Sequence, residues 1–384
     1  MTPTPTTPLA EAGGRTAHGT APTATAPPVA NSLRSVRALR AGPVSFRVDP
    51  RSLVVGFLLL VAVATTAAAH LAFGGTPIPY AHVLAALSGG TTETSVHLAV
   101  TEFRAPRMVA AILVGACLAA AGAITQTVAR NPLASPDVLG VTAGASAGAV
   151  AVLILADGGA AGLSGPAATV GMPAAAFTAG LVSGVAAYLL AYRNGIDSYR
   201  LILVGLGISG FTTAITTWML TLGDVTSAAQ ALTWMMGSLN GKDWALVRPM
   251  AAVAALLLGA AVLSGRWLLL AALGEDTAIG LGLRLGRIRV LSLSLAVLLA
   301  AVATVVGGPL VFVALAAPQI ACLLTRRPVP PVTVSALAGA VFVLVADTAA
   351  ANLLTVPLPA GVATAVLGAP YLIYLVIRSQ RRPR

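Results

Sequence analysis

The sequence is short of charge. Only 9% of its 384 residues are Asp, Glu, Lys or Arg, against about 25% in an average soluble domain. A water-facing surface cannot be built from so few charges, and 57% of the chain is hydrophobic. Cysteine is nearly absent. Cys117 and Cys322 stand apart in apolar segments, which excludes a disulfide framework or a paired-cysteine metal site and leaves two small buried hydrophobes. The four histidines, His18, His70, His82 and His97, do not pair at metal-ligand spacing. There is no GxxxxGKS/T phosphate loop and no HExxH. No catalytic residue, metal ligand or cofactor is therefore assigned to the chain. Acids inside the apolar runs are scarce, Asp347 being the clearest. An ion-coupled transporter usually needs intramembrane carboxylates or broken-helix ion sites, so energy is expected to come from outside the chain.

What the sequence has in quantity is long apolar runs of roughly 20 residues, the length that crosses about 30 Å of hydrocarbon. They are continuous and rich in Ala and Leu, unlike the short alternating segments of a membrane barrel. A helix satisfies its own backbone hydrogen bonds in lipid, so the fold class is all-α: a polytopic membrane protein. Spans are predicted near 53–73, 108–128, 138–156, 170–192, 201–222, 246–264, 288–306, 309–325, 332–350 and 360–377. The division between the seventh and eighth rests on Gly307, Gly308 and Pro309 inside one apolar block.

The net charge of +11 raises nucleic acid as a partner, but the basic residues sit in tails and between apolar runs, where positive charge stays cytoplasmic during insertion. Ten spans put both termini on one side. With the termini inside, the inner connections hold Arg130, Arg193, Arg200, Arg266, Arg284, Arg287, Arg289, Arg326 and Arg327, and the tail adds Arg378, Arg381, Arg382 and Arg384. The outer connections hold only Arg104, Arg107, Lys242 and Arg248. Lipid, not nucleic acid, is the expected surround. Residues 1–50 read as a disordered basic cytoplasmic tail, 51–378 as the membrane domain and 379–384 as a basic cytoplasmic C-terminal tail. The first apolar run continues past Ala69, so it reads as a retained helix and not a signal peptide.

Small residues recur at three- and four-residue spacing, as Gly115, Ala119, Gly122 and Ala123 and as Gly140, Gly144 and Gly148, which lets helices approach closely. Two stretches outside the spans look helical. VTSAAQALTWMMGS at 225–238 reads as an outer segment with Trp234 as an interfacial anchor. GEDTAIGLGLRLGR at 274–287 begins with Glu275 and Asp276 and ends in arginines, an order that suits the helix dipole. It is either an interfacial helix lying on lipid or a docking surface for a soluble partner.

The stretch RAPRMVAAILVGACLAAAGAITQTVARNPLASPDVLGVTAGASAG at 104–148 closely resembles the signature of the FecCD-type permeases, the membrane subunits of bacterial ABC importers for iron–siderophore complexes, haem and vitamin B12. WMMGSL at 234–239, GEDTAIGLGLRLG at 274–286, GPLVFVALAAPQ at 308–319 and PAGVATAVLGAPYL at 359–372 follow in order. The resemblance implies ten spans per subunit in the type II importer permease fold. It also implies a pair of permeases around a central pathway, two ATP-binding subunits on the cytoplasmic face and a substrate-binding protein outside. ATP would be used by partner subunits, which accounts for the missing phosphate loop. Arg104 and Arg107 match the outer R-x-P-R motif that pairs with acids on the binding protein, the alternative being snorkelling or locally structural arginines. Glu275, Asp276, Gly280 and Gly282 match the region that contacts the ATP-binding subunits. The fifth and tenth spans would line the pathway.

The chain departs from the family where many members carry His and Arg and this one has Gln319 and Cys322. It departs again where a second outer Arg and a Glu commonly follow the aspartate matching Asp347. Ala351 and Pro357 stand there, in a loop one residue shorter. The APQ variant resembles one half of the heterodimeric catecholate-siderophore importers, which implies a second, non-identical permease. A bacterial cytoplasmic membrane protein moving ferric siderophore is expected. Haem or vitamin B12 as cargo, or a self-powered secondary transporter, are the alternatives.

Overall fold

A computed structural model describes residues 37–41, 44–74, 76–90, 93–157, 166–192, 198–272, 275–280, 282–352 and 358–380. Two compact units divide at Pro50. In the first, β1 (Arg37–Ala41) and β2 (Val44–Val48) pair antiparallel, with Leu39 opposite Phe46. The expected disordered tail did not anticipate this hairpin; residues 1–36 of it lie outside the described residues, as do 381–384 of the C-terminal tail.

The second unit is helical. Its elements are α1 (Pro50–Ala72), α2 (Tyr80–Ser88), α3 (Thr94–Leu98), a π-helical turn (Ala99–Arg104), α4 (Ala105–Ala129), a 3₁₀ turn (Pro136–Leu139), α5 (Val141–Asp157), α6 (Pro166–Ala191) and α7 (Ser198–Leu220). Then come α8 (Val225–Met235), α9 (Trp244–Ala272), α10 (Glu275–Gly280), α11 (Leu285–Gly307), α12 (Val313–Thr325), α13 (Val332–Asn352) and α14 (Ala360–Gln380). Among the described residues seven helices are long and apolar enough to cross a membrane, and three more apolar ones, in α5, α12 and α14, are shorter. Together they account for all ten predicted spans.

Burial sorts them into centre and periphery. The apolar stretch of Thr94–Ala129 is 78% buried, whereas that of Pro50–Ala72 is 0% buried and turns Leu53, Phe57 and Leu60 outward. Apolar side chains gain nothing by leaving lipid, so close backbone packing holds such a bundle together. Gly115 and Gly339 are each other's reason: a Cβ on either would overlap the other's carbonyl oxygen, so α4 and α13 meet backbone to backbone. Gly122 meets Ala314 of α12 in the same way. Gly144 and Gly148 of α5 face Ala179 and Ala175 of α6. The small-residue spacing thus reports packing.

The Gly307–Pro309 block does divide two helices. Gly308 has φ +69° and Phe312 φ +68°, and α12 starts only at Val313. Its 13 residues rise about 20 Å, short of the roughly 30 Å of hydrocarbon. In the irregular segment before it Gly308 and Leu310 are buried in protein, where non-helical backbone is tolerated at membrane depth, while Val311 is exposed.

Helix α9 runs parallel to α4. Val247, Ala254, Ala261 and Leu268 are its buried residues, one every seven, the spacing of a left-handed packing seam.

Candidate docking and coupling sites

The end of the bundle where α4 begins gathers three ionisable side chains from three helices. Arg107 grips Asp347 of α13 with two parallel hydrogen bonds, Nε to Oδ2 at 2.7 Å and Nη2 to Oδ1 at 2.8 Å. His70 of α1 donates from Nε2 to the same Oδ2 at 2.8 Å. Asp347 is fully buried and His70 is 6% exposed, while the Arg107 side chain keeps 22% of its surface. A carboxylate so placed holds its charge only with partners, and a bidentate guanidinium is the strongest available.

Arg104 does something different. Helix α1 ends at Ala72, leaving carbonyls without intrahelical donors. The Arg104 guanidinium collects them: Nη1 donates to Leu71 O (2.8 Å) and Ala72 O (3.1 Å), and Nη2 to Gly74 O (2.5 Å) and Thr76 O (2.6 Å). It therefore fixes the loop that leads into α2. Both arginines of the motif are engaged within the chain, which is the locally structural alternative. Sequence reasoning missed His70, which stands 277 positions from its partner. The signal was there: a lone His and a lone Asp near the ends of apolar runs require partners.

The same end carries Asp224 and Asp243, which cap α8 and α9 by accepting from the backbone N–H of Ser227 and Leu246, each at 3.0 Å. The Ser227 bonds hold the Asp224 carboxyl below its ordinary range. Burial pushes Lys242 below the usual lysine value, partly opposed by Asp243. Trp234 is partly buried and packs against the cluster of Ala145, Ala149, Ala176 and Val305.

The opposite end collects the basic residues. Arg130 closes α4 with φ +50° and donates to Ala271 O of α9 at 3.0 Å. Arg51 donates to Leu324 O at 2.9 Å, setting the start of α1 beside the end of α12 and its Arg326. Here α10 packs against α9 and α11. The predicted helix over 274–287 is only Glu275–Gly280. Gly282, with φ +76°, ends it, and Leu283 N–H returns to Ala278 O at 3.1 Å. Arg284 caps the next helix and Arg287 lies in its first turn, so the arginines do not close the dipole of α10. Ala278 is buried, while Gly280 and Gly282 are exposed, with no heavy atom within 4 Å of a Cβ added to either. The side chains of Glu275 and Asp276 lie outside the described residues, as does Arg193. Burial pushes Asp137, in the 3₁₀ turn at this end, above the usual carboxylate range against its bond from the Thr142 hydroxyl.

Of the departures, Gln319 is bonded inside the bundle. Its Nε2 donates to Gln126 Oε1 at 2.7 Å, and Gln126 Nε2 donates to Leu315 O at 3.1 Å, tying α4 to α12. Cys322 is half-buried, Ala351 lies in the last turn of α13, and Pro357 lies outside the described residues. Among the described residues no three His, Cys, Asp or Glu side chains converge as metal ligands.

Seven membrane-length apolar helices and three shorter ones, packed in one bundle, define a multi-pass membrane protein. The fold is that of an ABC-transporter permease: it matches a metal-chelate type ABC transporter in an inward-facing conformation with a TM-score of 0.74 at 23% identity, over 85% of this chain and 99% of that one. Residues 58–378 match the FecCD transport family, and the chain belongs to it. It is 40% identical over 336 residues to the ferric enterobactin transport system permease protein FepG of Escherichia coli K12, covering 86% of this chain and 98% of that protein. It is 38% identical over 332 residues to the achromobactin transport system permease protein CbrC of Dickeya dadantii, covering 84% and 91%.

Proposed function

We propose that this chain is the permease subunit of an ATP-driven importer that carries ferric siderophores across the bacterial cytoplasmic membrane. The observation that carries this is the 40% identity to a ferric enterobactin permease over nearly that protein's whole length. Achromobactin, hydroxamate and citrate permeases among the relatives support iron chelates over haem or vitamin B12. The family match supports transport driven by partner subunits over a self-powered secondary transporter, and ATP is used by two separate ATP-binding subunits.

The basic end, with Arg130, Arg284, Arg287, Arg326 and Arg327, is cytoplasmic, and both termini with it. The Arg104 end faces out and receives the siderophore-binding protein. Arg107 presents the exposed part of its guanidinium there, and Arg104 acts through the loop whose carbonyls it holds. Glu275, Asp276, Gly280 and Gly282 meet an ATP-binding subunit at the other end, in and just after α10. Gln319, Cys322 and Ala351, in place of the fuller contact set, support pairing with a second, non-identical FecCD-type permease.

Uptake of labelled ferric enterobactin, haem and cobalamin is compared in cells with and without this chain, and with the ATPase inactivated. Loss of ferric-catecholate uptake alone supports the assignment. Loss of haem or cobalamin uptake, or uptake indifferent to the ATPase, contradicts it.

A further inference from the structure

Helices α4 and α9 are tied to each other at both ends, and each tie uses a carbonyl that its own helix leaves free. At the outer end the π-helical turn shifts the backbone register, so that Ala105 N–H goes to Val100 O. In that register Thr101 O would pair with residue 106, which is a proline and has no N–H. The indole Nε1 of Trp244, the first residue of α9, donates to Thr101 O instead, at 2.8 Å. At the inner end Ala271 lies in the last turn of α9, where carbonyls have no helical donor, and Arg130 supplies one at 3.0 Å. The donor comes from α9 at one end and from α4 at the other. Between the ties runs the seven-residue seam of Val247, Ala254, Ala261 and Leu268.

The ties stand about 40 Å apart along the helices. Sliding, tilting or rotating one helix against the other breaks at least one of them, so the pair moves as a single rod. Its inner end continues into α10, packed against α9 and α11 with Ala278 buried. Its outer end carries the Thr101–Arg107 segment that holds the α1 loop and Asp347.

We propose that Arg130 and Trp244 are positioning residues of the transport cycle: they clamp α4 to α9 so that displacement of α10 by an ATP-binding subunit is delivered to the Arg104–Arg107 face. This rests on the proposed function for the identity of the inner partner. Losing either tie leaves an unpaired carbonyl and a pair of helices that can slip, so ATP is hydrolysed without moving the outer face.

The test uses the whole complex, purified through a tag on this chain and held in lipid nanodiscs. Cysteines replace the exposed Ser95 and Ala229 in a background of Cys117→Ala and Cys322→Ser, and carry spin labels. ATP hydrolysis and the label-to-label distance with and without ATP plus vanadate are measured for Arg130→Ala, Arg130→Lys and Trp244→Phe. Arg130→Ala and Trp244→Phe are expected to hydrolyse ATP at the parental rate yet lose the nucleotide-dependent distance change, and to lower siderophore uptake in cells about tenfold, a coupling loss of the usual size for such a linkage. Arg130→Lys, which keeps a cationic donor, restores both. If Arg130→Ala does not assemble, Trp244→Phe decides on the same readouts, since it keeps a ring in place and removes only the N–H. A normal distance change in Trp244→Phe or in assembled Arg130→Ala overturns the clamp. A parental complex without ATPase activity overturns the proposed function beneath it.

Discussion

Arg107 and Asp347, 240 positions apart in sequence, meet in two hydrogen bonds of 2.7 and 2.8 Å with the carboxylate fully out of solvent. The pair locks the start of α4 to the end of α13, two helices that already touch backbone to backbone at Gly115 and Gly339. Arg107→Ala leaves the buried Asp347 carboxylate with His70 alone, and Asp347→Ala leaves Arg107 and His70 without their acceptor, so each is expected to cost about 3–5 kcal/mol. The joint replacement Arg107→Met with Asp347→Leu recovers part of that loss, because no carboxylate is left buried, while His70 loses its acceptor. Thermal unfolding of the solubilised complex checks this; additive losses in the double variant would contradict it.

Arg104→Lys probes geometry and not charge. A lysine ammonium cannot reproduce the planar fork that reaches four carbonyls. Hydrogen exchange of Phe73–Tyr80 is expected to accelerate while that of α4 stays unchanged. An unaltered loop would mean that Arg104 does not hold it.

Gly115→Ala forces α4 and α13 apart and is expected to destabilise the protein by about 1–3 kcal/mol through overpacking. Gly259→Ala on α9 meets no atom within 4 Å and should leave stability unchanged or slightly raised. Melting temperatures of the two variants, measured side by side, separate close packing from a general intolerance of larger residues.

The helix cap at Asp224 predicts a pH effect with a definite sign. Its folded-state carboxyl titrates below the ordinary value of 3.8 because it accepts from Ser227. The cap therefore contributes fully above 3.8 and is lost as pH falls through the lower, folded value. The protection factors of amides in the first turn of α8, relative to their intrinsic exchange rates, should fall on acidification and be low at all pH in Asp224→Ala.

Much of the architecture was legible because lipid imposes a simple rule: each long apolar run must be a helix. The predicted span 332–350 lies within Val332–Asn352, and 360–377 within Ala360–Gln380. The glycine–proline block near 308 marked a true break, since the backbone there turns to positive φ. What periodicity could not show was α2 and α3, whose nine and five residues are too short to register as spans. Nor could it show where α10 stops, a matter of one positive φ at Gly282. Arg104 and Arg107 were found by motif, but the engagement of Arg104 with carbonyls, and of Arg107 and His70 with Asp347, is a property of the folded chain. Local pattern does not carry pairings 240 or 277 residues apart.

The most direct measurement is accumulation of ⁵⁵Fe from ferric enterobactin into proteoliposomes holding either this chain alone or the complex purified with it, supplied with the siderophore-binding protein and with or without ATP. Accumulation by the full complex that requires hydrolysable ATP, and none by the chain alone under a proton or sodium gradient, is the predicted result. Gradient-driven accumulation by the isolated chain would contradict the account.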